Sequence, residues 1–245
     1  SEEKDIEVFD WKGVVTKKMN KTDSLWYYHR LLNASVLMTN PKNGAVITWI
    51  GGNDFKRLPF DMVMSHRQIA STFKPFLYAT ALENDFTPST YLKNVQKVYP
   101  EYDNWEPQNF DHKFTKDSTV ALWYALANSM NLPTLDLYFQ TGRDKLINTC
   151  DRLHFPTIND DSPSIALGTL DLSLYEVVRA YGAFANKGEM TEPVMINKIT
   201  DAKGTVLYER KATRKEKVFN EETAEMITAI LQKVINEGTG TRIRN

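Results

Sequence analysis

Ser71 and Lys74 lie three positions apart in the stretch Arg67-Gln68-Ile69-Ala70-Ser71-Thr72-Phe73-Lys74-Pro75-Phe76, a spacing suited to nucleophilic chemistry. A serine hydroxyl attacks poorly until a base takes its proton, and an amine one helical turn away is within reach to do so. The amine must first be neutral. Bringing a lysine pKa from about 10.4 to about 7 costs on the order of 4–5 kcal/mol of charge destabilisation, supplied by burial or by a second cation. Spacing alone proves little, because a chain of this length holds roughly one Ser-x-x-Lys by chance. Ser1-Glu2-Glu3-Lys4 is such a case, at a polar terminus. Read in isolation, Ser71 is a helix N-cap and Lys74 a solvated amine.

Phe73, Phe76, Leu77, Ala81 and Leu82 recur at helical spacing, which predicts a helix over Thr72–Asn84. Pro75 belongs near its start, since a proline ring clashes with the carbonyl four residues back inside a helix. Ser71 is therefore expected at the N-terminal end, among free backbone N–H groups. Ser129-Met130-Asn131, the sole Ser-x-Asn in the chain, falls at a second helix break. One helix should run through Val120, Leu122, Trp123 and Leu126 after an Asp117-Ser118 cap. Another should run from Thr134 to Gln140 with Pro133 in its first turn, stopped near Gly142. Taken alone, Ser129 and Asn131 read as the residues that end one helix and open the next.

The other elements are plainer. Residues up to Asn20 are polar with isolated apolar positions, as in a loosely held strand or linker. Asp23-Ser24 could cap a helix through Leu25, Trp26, Tyr28, Leu31 and Leu32. Two β-rich runs within Ser35–Ile50, separated by Pro41 and Asn43-Gly44, predict a hairpin. Phe86 to Lys116 is long, aromatic and irregular, and a loop of that length is usually functional. A helix is expected around Leu146–Leu153, a turn at Asp160–Pro163, and a helix over Leu174–Asn186 with Gly188 past its end. A second hairpin should join Pro193–Thr200 to Thr205–Glu209. A final amphipathic helix opens at Asn220-Glu221-Glu222-Thr223 and runs through Met226, Ile227, Ile230, Leu231 and Val234.

Composition excludes several classes. Hydrophobic residues make up 42% of the 245, enough for a real core. Thirty basic against 31 acidic residues give a net charge of −1, with no electrostatic case for nucleic acid. Cys150 is the single cysteine, so neither an internal disulfide nor a cysteine metal cluster is available. His29, His66, His112 and His154 lack ligand spacing, and no metal or cofactor is expected. No apolar run reaches membrane-spanning length and no signal peptide opens the chain.

Together and in this order, the motifs resemble the transpeptidase domain of the class A, bifunctional penicillin-binding proteins, which combine Ser-x-x-Lys, Ser-x-Asn and Lys-Thr-Gly. The likeness extends through Asn40-Pro41-Lys42-Asn43-Gly44-Ala45-Val46, Gly51-Gly52-Asn53-Asp54-Phe55 and Phe60. It continues through Trp105-x-Pro107-x-Asn109, Ser129-x-Asn131-x-Pro133, Ala166-Leu167-Gly168, Ala180-Tyr181 to Asn186-x-Gly188, Ile199-x-Asp201-x-x-Gly204 and Gly238-Thr239-Gly240. Three departures stand out. Ile69-Ala70 replace the usual Pro-Gly before the nucleophile, removing a glycine's freedom there. Lys116-Asp117 stand where a glycine turn is common. No Lys-Thr-Gly or Lys-Ser-Gly occurs, and the strand carrying it is expected beyond Asn245.

The resemblance implies an α+β fold. An antiparallel sheet is flanked by helices, with an all-helical subdomain beside it and the Ser71 helix buried between sheet and subdomain. It divides the chain into a linker, 1–34, and a transpeptidase domain, 35–245, incomplete at its C-terminus. It implies that Ser71 is the nucleophile and Lys74 its base. Ser129 relays a proton to the leaving amine, and Asn131 hydrogen-bonds Lys74 and substrate. Thr72, Trp105 and Asn109 are substrate contacts. The implied substrates are peptidoglycan stem peptides, with β-lactams as acylating inhibitors. The implied setting is the extracytoplasmic face of the bacterial inner membrane, downstream of a glycosyltransferase domain. Two alternatives share the motifs. A serine β-lactamase would need a water-activating glutamate, for which Glu101-Tyr102-Asp103-Asn104 and Glu106-Pro107-Gln108-Asn109 are loose fits. A β-lactam-sensing or scaffolding domain would not turn over.

Overall fold

The structure, a computed structural model, describes residues 2–112, 118–210 and 213–244. Along the chain come β1 (Lys4–Asp10), β2 (Gly13–Met19), α1 (Lys21–Arg30), β3 (Val36–Thr39), β4 (Val46–Ile50), β5 (Arg67–Gln68), α2 (Lys74–Leu82), β6 (Tyr91–Lys93) and β7 (Thr119–Ala121). There follow α3 (Leu122–Ala127), α4 (Asn131–Thr141), α5 (Arg143–Arg152), β8 (Asp171–Leu172), α6 (Leu174–Ala185), β9 (Glu189–Thr191), β10 (Lys198–Thr200), β11 (Val206–Glu209), β12 (Lys215–Lys217) and α7 (Glu221–Asn236). The predicted α+β class holds, with the strands in short antiparallel pairs.

The helix that carries Lys74 is the centre of the core. All nine residues of α2 are buried. Phe76 meets Phe155, Tyr181 and Phe184 with ring centroids 5.2–5.6 Å apart. Each such aromatic burial is worth roughly 1.5–3 kcal/mol. Helices α3, α4, α5 and α7 pack around α2, and α6 joins it through Tyr181 and Phe184. The hairpin β3–β4, predicted from its turn residues, packs on α6. The expected sandwiching of α2 between hairpin and helices is therefore corrected. Helices enclose α2, because the aromatic face of α6 is turned toward Phe76.

Several local expectations also change. The first 19 residues are a regular hairpin, paired from Lys4↔Met19 to Asp10↔Gly13, not a loose strand. Gly13, at φ +101°, closes the turn. The cap of α1 is Asn20, whose Oδ1 accepts from Asp23 N at 2.9 Å, and not Asp23-Ser24, because β2 ends at Met19 and the helix begins at once. The irregular stretch after Phe86 contains β6, which pairs with β7. Val120 is therefore in a strand and α3 starts only at Leu122. Lys116 and Asp117 lie outside the described residues. The second hairpin is shorter than predicted and pairing begins at Lys198, because Val194 bonds instead to Gly44 and Val46. β9 instead pairs with β12.

Candidate active site

Ser71 lies in a 3-10 turn, Ala70–Phe73, that leads directly into α2. The turn is held from outside. β5 pairs with β8, Ile69 N donates to Leu170 O at 3.1 Å, and Ala70 N donates to Gly168 O at 2.9 Å. Ala70 adopts φ +47°, the left-handed region that favours glycine. The backbone before Ser71 therefore keeps a glycine-like shape although alanine occupies it, at a cost of about 1–2 kcal/mol. Gly168, at φ +84°, lies so close that a Cβ there would run into the Ala70 carbonyl.

Lys74, one turn on, is 1% exposed. Its Nζ donates to Ser129 O at 2.6 Å and to Asn131 Oδ1 at 2.7 Å, with Ser129 Oγ and Met130 O each 3.3 Å away. Burial lowers its pKa to about 7. Desolvation, which disfavours the charged form, is the cause of that lowering. Among the described residues no hydrogen bond joins Ser71 Oγ to Lys74 Nζ. Ser71 faces the same cleft of about 550 Å³ as Ser129 and Asn131.

Ser129 reaches Lys74 because the chain reverses there. It takes φ +52° just past the end of α3, and Ser129 N and Met130 N bond back to Leu126 O and Ala125 O. A left-handed residue just past a helix end is a common way of satisfying the last carbonyls. It also releases the Ser129 carbonyl toward Lys74. Asn131 then opens α4 and is gripped by the preceding loop. Its Nδ2 donates to Gln108 O at 2.8 Å, and its backbone N–H donates to Asn109 Oδ1 at 2.9 Å.

The three further residues part company. Asn109 lines the cleft but is 4% exposed. Its amide bonds Asn131, Leu132 and Asn94. Trp105 is not among the residues that line the cleft, and its ring lies 5.8 Å from that of Tyr99. Thr72 lines a different cavity, with Arg67 and Gln68, and its carbonyl accepts from Tyr181 Oη at 2.8 Å. Phe110, Tyr124 and Thr239 also line the cleft and are not among the expected site residues. Phe110 is 95% exposed and follows the Trp105–Asn109 motif directly. Thr239 sits between two glycines. Gly238 packs where a Cβ would strike the Ala127 carbonyl, which sets Thr239 beside the end of α3. That glycine pair was the available signal, but it reads equally as a helix stop.

Two serine hydroxyls on one cleft, with a buried amine of lowered pKa bound behind them to Ser129, are the parts of an acyl-transfer site. Residues 34–244 match the family of the penicillin binding protein transpeptidase domain. Penicillin-binding protein 2D of Bacillus subtilis (strain 168) is 33% identical over 217 residues, covering 84% of this chain and 31% of that protein. Penicillin-binding protein 1B of Haemophilus influenzae is 28% identical over 227 residues, 87% of this chain and 28% of its own. The crystal structure of penicillin-binding protein 1A from Haemophilus influenzae shares the fold with a TM-score of 0.80 at 25% identity, over 86% of this chain and 37% of that one. At 15% identity, the imipenem acyl-enzyme complex of penicillin-binding protein A from M. tuberculosis is similar in fold alone, with a TM-score of 0.74. The chain thus spans about a third of the length of these curated relatives. With its Ser-x-x-Lys and Ser-x-Asn segments joined through Lys74 and the family matched over 34–244, this chain belongs to the penicillin-binding protein transpeptidase family, alongside the class A proteins.

Proposed function

We propose that the chain is the D,D-transpeptidase domain of a peptidoglycan-building enzyme. The observation that carries this is the buried Lys74, held by Ser129 and Asn131 on the cleft that Ser71 faces. Ser71 Oγ attacks the carbonyl between two terminal D-alanines of a stem peptide, and its proton passes to neutral Lys74 Nζ. The tetrahedral adduct collapses, the C–N bond breaks, and the departing D-alanine amine receives a proton through Ser129 Oγ. An amine of a neighbouring stem peptide then attacks the Ser71 ester and gives up a proton. The cross-link forms and the Ser71 hydroxyl is restored. The N–H of Ser71 is one oxyanion donor. A β-lactam acylates by the same first step, except that its amine stays tethered to the acyl group.

This domain occupies residues 35–245, with 1–34 as the approach from an upstream glycosyltransferase, on the extracytoplasmic face of a bacterial membrane. No helix among the described residues is long and apolar enough to cross a membrane. A serine β-lactamase gains no support from the site, and turnover with a peptide donor separates the transpeptidase from a non-catalytic sensor. Glu101 and Glu106 are both exposed, and Glu106 accepts from Gln96 Nε2 at 2.8 Å outside the cleft.

A fluorescent penicillin should attach covalently to Ser71 of the protein, and Ser71→Ala should abolish the adduct seen by intact mass. A D-Ala-D-Ala donor and an amine acceptor should yield the transfer product. Labelling that survives Ser71→Ala would overturn the assignment.

A further inference from the structure

The motif Trp105-x-Pro107-x-Asn109 has no part in the proton transfers above, yet its last two residues hold Asn131 at both its backbone and its side chain. α4 opens without a side-chain cap of its own, since the residue before it is Met130. Asn109 supplies that cap from 22 positions upstream. Its Oδ1 accepts the N–H of Asn131 at 2.9 Å and of Leu132 at 3.1 Å. Its Nδ2 donates to Asn94 Oδ1 at 2.8 Å. Asn94 is itself buried and tied to Ser118, whose carbonyl takes its N–H and whose hydroxyl binds its carbonyl. Gln108 adds the decisive contact, because its carbonyl accepts Asn131 Nδ2 at 2.8 Å. An amide whose NH2 is held on one side must present its oxygen on the other, and there Oδ1 meets Lys74 Nζ at 2.7 Å. The loop that bears these groups is itself fixed. Tyr99 N donates to Trp105 O at 2.9 Å, the Trp105 ring packs against the core, and Pro107 is buried.

We propose that the Trp105–Asn109 segment is a brace that orients the Asn131 amide and thereby places the amine of Lys74, with Asn109 a positioning residue and not a substrate contact. The proposal rests on the reading of Lys74 as the base for Ser71. A plain helix cap would affect stability only, whereas a brace also affects the base. Asn131 Oδ1 accepts from Lys74 and so favours its charged form. Freeing that amide makes Lys74 easier to deprotonate but leaves it misplaced. Among the described residues the direct partners of Lys74 Nζ are all uncharged, and Asp111 is the carboxylate that lines the same cleft.

The test is the pH profile of Ser71 acylation by a labelled penicillin, together with thermal melts, for wild type, Asn109→Leu, Asn109→Asp, Asn131→Ala and the Asn109→Leu/Asn131→Ala double variant. Asn109→Leu should lower the plateau rate about 10- to 100-fold, as a small misplacement of a catalytic group does. It should also shift the rising limb to lower pH by about half a unit to one unit, the size of one hydrogen bond. Asn131→Ala should shift the limb the same way, and the double variant should add little, as expected of residues in one network. Asn109→Asp keeps an acceptor for both N–H groups. It should recover the plateau to within about tenfold, and its carboxylate should move the limb up if at all. Asn109→Ser, too short to span both N–H groups, carries the same signs as Asn109→Leu should the latter not fold. A lower melting temperature with limb and plateau at wild-type positions would overturn the brace, and so would additive effects in the double variant. Failure of wild type to be labelled at Ser71 would overturn the proposed function instead.

Discussion

Lys74 Nζ lies 2.7 Å from Asn131 Oδ1, on the side chain that also donates to the carbonyl of Gln108. The second short contact of the same nitrogen is the Ser129 carbonyl at 2.6 Å. Burial opposes the charge of the lysine, while these two fixed carbonyl acceptors set the direction of its amine.

Lys74→Arg keeps the charge but has no neutral form near pH 7, because a guanidinium does not deprotonate in a protein. Acylation of Ser71 by a labelled penicillin should fall at least about 100-fold, the low end of what a general base contributes. A near-normal rate would mean that a different group accepts the proton.

The depressed pKa of Lys74 also predicts how stability depends on pH. Its folded value of about 7 lies below the unfolded value of 10.5. Between these limits the unfolded chain binds more protons, so this group makes stability rise with pH from about 7 to about 10. Below about 7 the lysine is charged in both states, and its destabilising effect is present in full. The melting temperature of wild type minus that of Lys74→Met should increase as pH rises from 6 to 10. A constant difference across that range would contradict the assignment.

Ala70→Gly should stabilise the domain. Relief of the left-handed strain at φ +47° is worth about 1–2 kcal/mol, and the added freedom of the unfolded chain takes back about 0.4–1 kcal/mol. The expected rise in melting temperature is a few degrees for a chain of this size, roughly 2–4 °C per kcal/mol. Gly168→Ala should do the reverse, because its Cβ has no room beside the Ala70 carbonyl. A fall in melting temperature for Ala70→Gly would show that the alanine carries no strain.

Tyr78 and Thr134 form a buried hydroxyl pair 2.9 Å apart, and Thr134 Oγ1 donates to Met130 O at 2.6 Å. Tyr78 must therefore be the donor to Thr134. Tyr78→Phe removes one hydrogen bond and should cost about 0.5–1.5 kcal/mol. Thr134→Val strands the tyrosine hydroxyl in a dry site and should cost more, about 1–3 kcal/mol. Denaturant unfolding of both single variants and the double variant should show a double cost smaller than the sum. Equal single costs with full additivity would mean the pair does not act as a unit.

Sequence alone determined the local chemistry. The apolar spacing after Ser71, with Pro75 near the start, placed Ser71 and Lys74 at a helix entry. The break at Asn128–Asn131 made Ser129 a turn residue. The β3–β4 hairpin followed from its turn residues, and the family from motifs in order. These features depend on neighbours a few positions away, which a linear pattern records. Tertiary structure decided the rest. Lys74 is a base candidate because α2 is enclosed by other helices, and the spacing of Ser71 and Lys74 is the same whether or not a core surrounds them. Thr72 is turned to another cavity by the 3-10 turn, and Trp105 is drawn to Tyr99. Asn109 caps a helix 22 residues away, a link that no propensity encodes. Burial and remote hydrogen bonds arise only when distant segments pack together, so the same motif reads as a helix cap or as a catalytic pair until the fold encloses it.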